Sequence, residues 1–260
     1  MITSSANRQM KQILQLNKKS KTRYEQRVFV AEGMKMCLEA PRESIEAMYV
    51  SESFLEDEEK CRKIQGYAYE VVSDRVFQAV SDTQTPQGIL CIIKMPEYHP
   101  EDLLGEDRNA HLLILDTIQD PGNLGTMIRT GEAAGITGII MNQTTVDLFH
   151  PKTIRATMGA LYRVPFYIMP DLPGFLRELK QRGVTLYGAH LEGTMCYDEP
   201  DYGGHTGFLI GNEGNGLSPE IAELADIRIR IPMEGRTESL NAAVAAALLM
   251  YEANRQRRER

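Results

Sequence analysis

The feature that most constrains this chain is a series of short apolar runs separated by stretches with helical patterning. HLLILD at 111–116 is the clearest, an uninterrupted apolar run ending in a polar turn. A strand half open to water would alternate, so this run suits a strand covered on both faces. Further strands are expected near 138–141, 165–169, 184–190, 206–210 and 227–231, and helical patterns near 123–134, 151–159, 172–182, 218–225 and 239–255 separate them. That alternation requires a mostly parallel sheet with helices on both sides, so the fold class is α/β.

The first part of the chain repeats the theme on a smaller scale. Met10, Ile13, Leu14 and Leu16 fall at helical spacing within residues 3–17, and residues 18–23 read as a turn before a strand at 28–31. Gly33 opens a helix, after which strands near 46–50, 69–72 and 88–93 alternate with helices at 54–65 and 74–80. Met95 to Arg108 holds two prolines, five acidic residues and Gly105, which is linker chemistry. The expected division is one domain at 1–95, a linker at 96–108 and a second domain at 109–260.

Composition narrows the function classes. With 42% hydrophobic and 25% charged residues the chain is neither disordered nor fibrous. No stretch approaches about 18 consecutive apolar residues and the N-terminus lacks an apolar signal core, so no membrane span is expected and a cytoplasmic chain is. Cys37, Cys61, Cys91 and Cys196 form no CxxC pair and have no histidine at ligand spacing, so they read as reduced thiols and no metal is expected. The formal charge is −7, yet residues 1–35 carry eight Lys/Arg against Glu25 and Glu32, and the last six residues carry four arginines against Glu259. A basic arm on an acidic body steers a polyanion to one surface; the plainer alternative is a solvated helix face. Lys18, Lys19, Lys21 and Arg23 are the candidate contacts.

Three segments of the second half put small or rigid residues just after a strand, where open parallel sheets bind ligands. In DTIQDPGNLGTMIRTG (116–131), Asn123 can cap the following helix and Arg129 lies off its buried stripe, with pairing to Glu132 as the plain alternative. In LIGNEGNGLS (209–218), three glycines in six residues allow close backbone approach, although the pattern is not GxGxxG and a tight turn would also explain it. In IPMEGRTESLNAAVAAALLMYEANR (231–255), Ser239 can cap a helix that is apolar all round, in the core or against another subunit. Asn241 in its first turn is a polar group that needs a partner.

In this order and spacing the three segments resemble the motifs of the SpoU family of RNA 2′-O-ribose methyltransferases, within the SPOUT superfamily. RATMGAL (155–161) resembles the family's intermediate segment, while RVFVAEG (27–33) and TQTPQGI (83–89) resemble its N-terminal substrate-binding domain, similar to ribosomal protein L30e. The resemblance implies an L30e-like α/β domain followed by a SPOUT α/β domain with a C-terminal deep trefoil knot, and a homodimer packed through the C-terminal helix. It also implies S-adenosyl-L-methionine as cofactor, held by Ala189, Leu191, Gly211, Ile231, Met233 and Leu240. Asn123, Arg129, Glu213, Ser239 and Asn241 match the family's substrate and catalytic positions, with Arg129 either the base or an electrostatic group. The implied substrate is RNA rather than DNA, most readily 23S-type ribosomal RNA, which makes Lys18, Lys19, Lys21 and Arg23 candidate RNA contacts. A tRNA methyltransferase and a catalytically silent RNA-binding assembly factor remain the alternatives.

Overall fold

The computed structural model describes residues 1–105 and 109–260, so residues 106–108 of the expected linker lie outside the described residues. Its contacts divide the chain into one unit made of 1–97 with 147–162, and a second made of 98–146 with 163–260.

The first unit begins with α1 (Arg8–Lys18) and α2 (Ser20–Gln26), followed by β1 (Val28–Glu32), α3 (Met34–Leu38), β2 (Ile45–Ser51), α4 (Glu58–Lys63), β3 (Glu70–Val72), α5 (Asp74–Val80) and β4 (Ile89–Lys94). The strands form a sheet in the order β1-β4-β2-β3, antiparallel except for the β2–β3 pair. Met10, Ile13 and Leu16 put one face of α1 into the core with Val28, Val30 and Phe77. Phe29 points the other way and packs on Phe149 and Tyr162 of 147–162, so β1 is buried on both faces.

Where the sequence suggests a turn at 18–23, the chain forms α2, because Arg23 turns inward. Its guanidinium pairs with Asp147 and donates to the Leu16 carbonyl, and Tyr24 Oη donates to the same carboxylate at 3.1 Å. Burial first, and the neighbouring Asp147 charge second, push the Tyr24 hydroxyl well above its ordinary pKa. Arg23 is therefore removed from the list of RNA contacts: it is 2% exposed and already committed. Lys18, Lys19 and Lys21 are exposed, Lys21 lying 3.7 Å from Glu25.

The second unit contains β5 (His111–Leu115), α6 (Pro121–Ala134) and β6 (Gly138–Asn142), after which the chain contributes α7 (Pro151–Thr157) to the first unit. It returns as β7 (Phe166–Met169), α8 (Leu172–Gln181), β8 (Thr185–Ala189), β9 (Met195–Cys196), β10 (Thr206–Ile210), α9 (Pro219–Leu224), β11 (Ile227–Arg230) and α10 (Ala242–Arg258). These seven strands are parallel in the order β7-β6-β5-β10-β8-β11-β9, and β5 and β10 are buried at every position. The acidic stretch after Met95 is not a plain linker. Pro100–Leu103 makes a short 3₁₀ turn, and Leu103 is fully buried against Gly138 at the start of β6.

Helix α10 is not buried all round. Ala243, Ala246, Leu249, Met250 and Ala253 are buried and Asn254 Nδ2 donates to the Ala134 carbonyl at the end of α6, while Val244, Leu248 and Tyr251 form an exposed apolar stripe. The C-terminal arginines serve the fold: Arg257 donates to the carbonyls of Tyr202, Asn109, Ala110 and Gly204, Arg255 pairs with Glu252 and Glu259, and Arg260 pairs with Asp201. Among the described residues no helix is long and apolar enough to cross a membrane.

Because removing one partner leaves the other charge buried, Arg23→Ala is expected to cost about 3–5 kcal/mol in urea unfolding, against no more than about 0.5 kcal/mol for Lys21→Ala. Equal effects would show that the Arg23–Asp147 pair does not hold the first unit.

Candidate active site at the carboxyl ends of the large sheet

Strands β5 and β10 are neighbours, with Ile210 opposite Leu115, so the segments leaving their carboxyl ends run side by side. From there β6 and β7 lie to one side and β8, β11 and β9 to the other. Open parallel sheets bind ligands at such a reversal, and here its walls are residues 116–123 and 211–218.

Asp120, not Asn123, caps α6: its Oδ1 accepts from Asn123 N at 2.8 Å. Pro121 has no N–H to offer and fits the first helical position, which moves the cap one residue before it. The Asn123 side chain is thereby free for other work. Its Nδ2 donates to Glu213 Oε1 at 3.0 Å and its Oδ1 accepts from Asn241 Nδ2 at 2.9 Å. Asn241 also caps α10, accepting from Ala243 N at 2.9 Å and Val244 N at 3.3 Å. Ser239, the cap expected from the sequence, stands two residues upstream and is exposed, because the helix starts only at Ala242.

Glu213 also accepts from Gln119 N at 3.0 Å and Asp120 N at 3.1 Å, so one carboxylate gathers the entry to α6. Burial is the largest single influence on this group and pushes its pKa up, but the hydrogen bonds from Asn123, Gln119 and Asp120 together outweigh it and hold the carboxyl below its ordinary range. Glu213 is therefore ionised at neutral pH and acts as an acceptor, suited to fixing its neighbours rather than to donating a proton.

Arg129 lies on the exposed side of α6. Glu132 pairs with Arg163 at 2.7 Å instead, and among the described residues Arg129 makes no hydrogen bond or ion pair. The structure thus joins Asn123, Glu213 and Asn241 directly and leaves Arg129 and Ser239 outside that hydrogen-bonded group.

On the other side of β10, Ala189 ends β8, Gly211 follows β10 and Ile231 follows β11, three strands that are adjacent in the sheet. Leu191 is exposed just beyond β8, and Met233 and Leu240 are half-buried. Among the described residues, no backbone N–H or C=O of 231–240 makes a hydrogen bond within the chain. Gly211 is required by the chain itself, since an added Cβ would stand 2.1 Å from Gly216 C and Leu217 N. Sequence reading missed Asp116, Asn142 and Asn212, all polar residues at the carboxyl ends of buried strands, where such groups need partners.

Residues 7–91 match the MRM3-like substrate binding domain, and residues 110–251 match the SpoU rRNA Methylase family. The chain belongs to the SpoU rRNA methylase family. The 23S rRNA (guanosine(2553)-2'-O)-methyltransferase RlmP of Bacillus subtilis is 36% identical to it over 255 residues, 96% of this chain and 97% of that protein. The structure of an AdoMet-bound rRNA methyltransferase from Sinorhizobium meliloti matches with a TM-score of 0.84 and 33% identity over 98% of this chain and 97% of that one. The SpoU methyltransferase AviRb from Streptomyces viridochromogenes, in complex with AdoMet, matches with a TM-score of 0.87 and 25% identity over 96% of this chain and 98% of that one. The resemblance carried by the three motifs is thereby confirmed at the level of family and fold.

Two outcomes test this geometry. Gly211→Ala is expected to lower stability by about 1–3 kcal/mol in urea unfolding, the cost of overpacking. Because the folded carboxyl of Glu213 titrates below its ordinary value, its contribution is present above about pH 4.5 and is lost as pH falls through the folded value. The stability gap between the parent and Glu213→Gln should therefore be constant near neutral pH and close on acidification; a gap that widens in acid would contradict this.

Proposed function

We propose that this chain transfers a methyl group from S-adenosyl-L-methionine to a ribose 2′-OH of ribosomal RNA, of the 23S type. The observation that carries the reading is the hydrogen-bonded group Asn123–Glu213–Asn241, which draws one residue from each of the three family motifs to one point.

The residues present fit the cofactor. The unpaired backbone of 231–240 offers donors and acceptors beside the ends of β8, β10 and β11, which suits recognition of an adenosyl group by main-chain contacts. Ala189, Leu191, Gly211, Ile231, Met233 and Leu240 would hold it. When bound, it supplies an electrophilic methyl group on a sulfonium centre.

The chain's own part is to orient the acceptor hydroxyl and to stabilise the charge that develops on it. Glu213 and Asn241 hold the Asn123 amide, which orients the substrate or its loop. A guanidinium is a poor proton acceptor near neutral pH, so Arg129, with no competing carboxylate, serves as a phosphate ligand and as electrostatic support for the developing alkoxide. Ser239 lies exposed near this group to bind substrate phosphate. A 2′-OH acceptor demands RNA rather than DNA. Residues 1–95 act as the substrate-binding domain, with Lys18, Lys19 and Lys21 meeting the phosphate backbone, in a cytoplasmic protein.

The reading includes a homodimer through α10 and the family's trefoil knot. The stripe Val244, Leu248 and Tyr251, exposed on a helix whose other face is buried, supports the dimer. Leu248→Asp is expected to shift the protein to monomer in light scattering; an unchanged dimer would place the interface elsewhere.

Mapping 2′-O-methyl sites in total RNA from cells with and without the protein tests the activity. Loss of a site in large-subunit rRNA is expected, and unchanged rRNA methylation would overturn it. In single-turnover assays Arg129→Ala should lower transfer by about 10²-fold or more, the scale for losing one preorganised electrostatic group, while cofactor affinity persists.

A further inference from the structure

Asp116 closes the β5 run and is 3% exposed, so its carboxylate is deep enough to require partners on both oxygens. Oδ2 accepts from Ser218 N at 2.8 Å; Oδ1 accepts from Asn142 Nδ2 at 2.9 Å and from Thr117 Oγ1 at 3.2 Å. Asn142, at the end of β6, is itself saturated. Its Oδ1 accepts from Thr117 N at 3.0 Å, Thr145 N at 3.1 Å and Thr145 Oγ1 at 2.8 Å.

What these groups grip is Thr117, which sits at φ 62°. A β-branched residue in the left-handed region persists only where its surroundings over-determine it. Turned this way, the Thr117 carbonyl accepts from Asn212 Nδ2 at 2.9 Å. Two bridges thus cross from the segment after β5 to the segment after β10, Thr117 to Asn212 and Asp116 to Ser218. Their ends on the second segment bracket Glu213, so the loop that carries Glu213 is fastened on both sides to the segment that carries Asn123.

We propose that Asp116 is a positioning residue that sets the 211–218 loop, and with it Gly211 on the cofactor side and Glu213 on the substrate side, for methyl transfer. It rests on the methyltransferase reading above. The carboxylate touches neither substrate nor cofactor; it acts through the Ser218 N–H.

Two variants separate this from a structural role. Asp116→Asn preserves shape but sets an amide N–H₂ against either Ser218 N–H or Asn142 Nδ2, so one bridge is lost. Ser218→Pro removes the N–H and turns the ring Cδ toward the Asp116 carboxylate, so it breaks the same contact from the other side, at a residue whose φ of −61° suits proline and whose side chain caps nothing. Binding of S-adenosylhomocysteine by calorimetry, and kcat and KM with labelled S-adenosylmethionine and an rRNA transcript, are measured on the full chain, the double variant and both singles. Each single variant is expected to weaken S-adenosylhomocysteine binding about tenfold and to lower kcat with little change in the RNA KM, and the double variant to lose no more than the worse single, as residues acting through one contact do. Folded variants within about twofold of the parent, or losses that multiply in the double variant, would overturn the proposal. Should Asp116→Asn not fold, folded Ser218→Pro decides alone: about tenfold weaker S-adenosylhomocysteine binding with a lowered kcat supports the proposal, and values within about twofold of the parent overturn it. A parent chain that binds no S-adenosylhomocysteine would refute the methyltransferase reading itself, and the proposal with it.

Discussion

The Glu213 carboxylate, seated where α6 begins, is the interaction on which the site depends. Backbone N–H groups at a helix entry have no partner inside the helix and favour a negative charge. Glu213 meets that demand from a loop that belongs to a different strand, accepting from Gln119 N and Asp120 N and from the Asn123 side chain. The same bonds that satisfy the helix entry therefore join two motifs about ninety residues apart in sequence, and Asn241 adds the third. A fold that placed β10 anywhere but beside β5 would lose all of this at once.

Parallel pairing sets the scale of the arrangement. β5 and β10 are buried throughout; their polar residues, His111 and Thr206, lie opposite each other at the amino ends, and from there to the carboxyl ends both strands are free of polar side chains. At the carboxyl ends polar residues return and bond one another: Asp116, Thr117, Asn142 and Asn212 in one group, Asn123 and Glu213 in another. Beyond β11, the irregular segment 231–240 keeps its backbone groups unpaired within the chain, and such a segment beside the hydrogen-bonded strand ends is where a ligand has most to offer.

Much of this was legible in the sequence because apolar runs report burial directly. Every strand of the large sheet except the two-residue β9 is visible in the sequence, β11 by its alternating Ile and Arg and the others by their apolar residues, and the three motifs carry the family resemblance. What was hidden depends on competition between neighbours. Asp120 and Asn123 both cap helices well, and only the proline between them decides for Asp120. Arg23 reads as surface charge until Asp147, far away in sequence, is seen to pair with it. Periodicity alone could not say which face of α10 is buried, since alanines and leucines occur on both.

The most direct test of the central claim is the chemical nature of the product. RNA methylated on a ribose 2′-oxygen cannot use that oxygen to attack the adjacent phosphate, so its linkage survives alkali. Transfer of labelled methyl from S-adenosylmethionine to 23S rRNA by the purified protein, followed by alkaline hydrolysis, is predicted to leave the label in an alkali-stable dinucleotide. Label recovered in mononucleotides, as from a methylated base, or no transfer by the folded protein, would contradict the account.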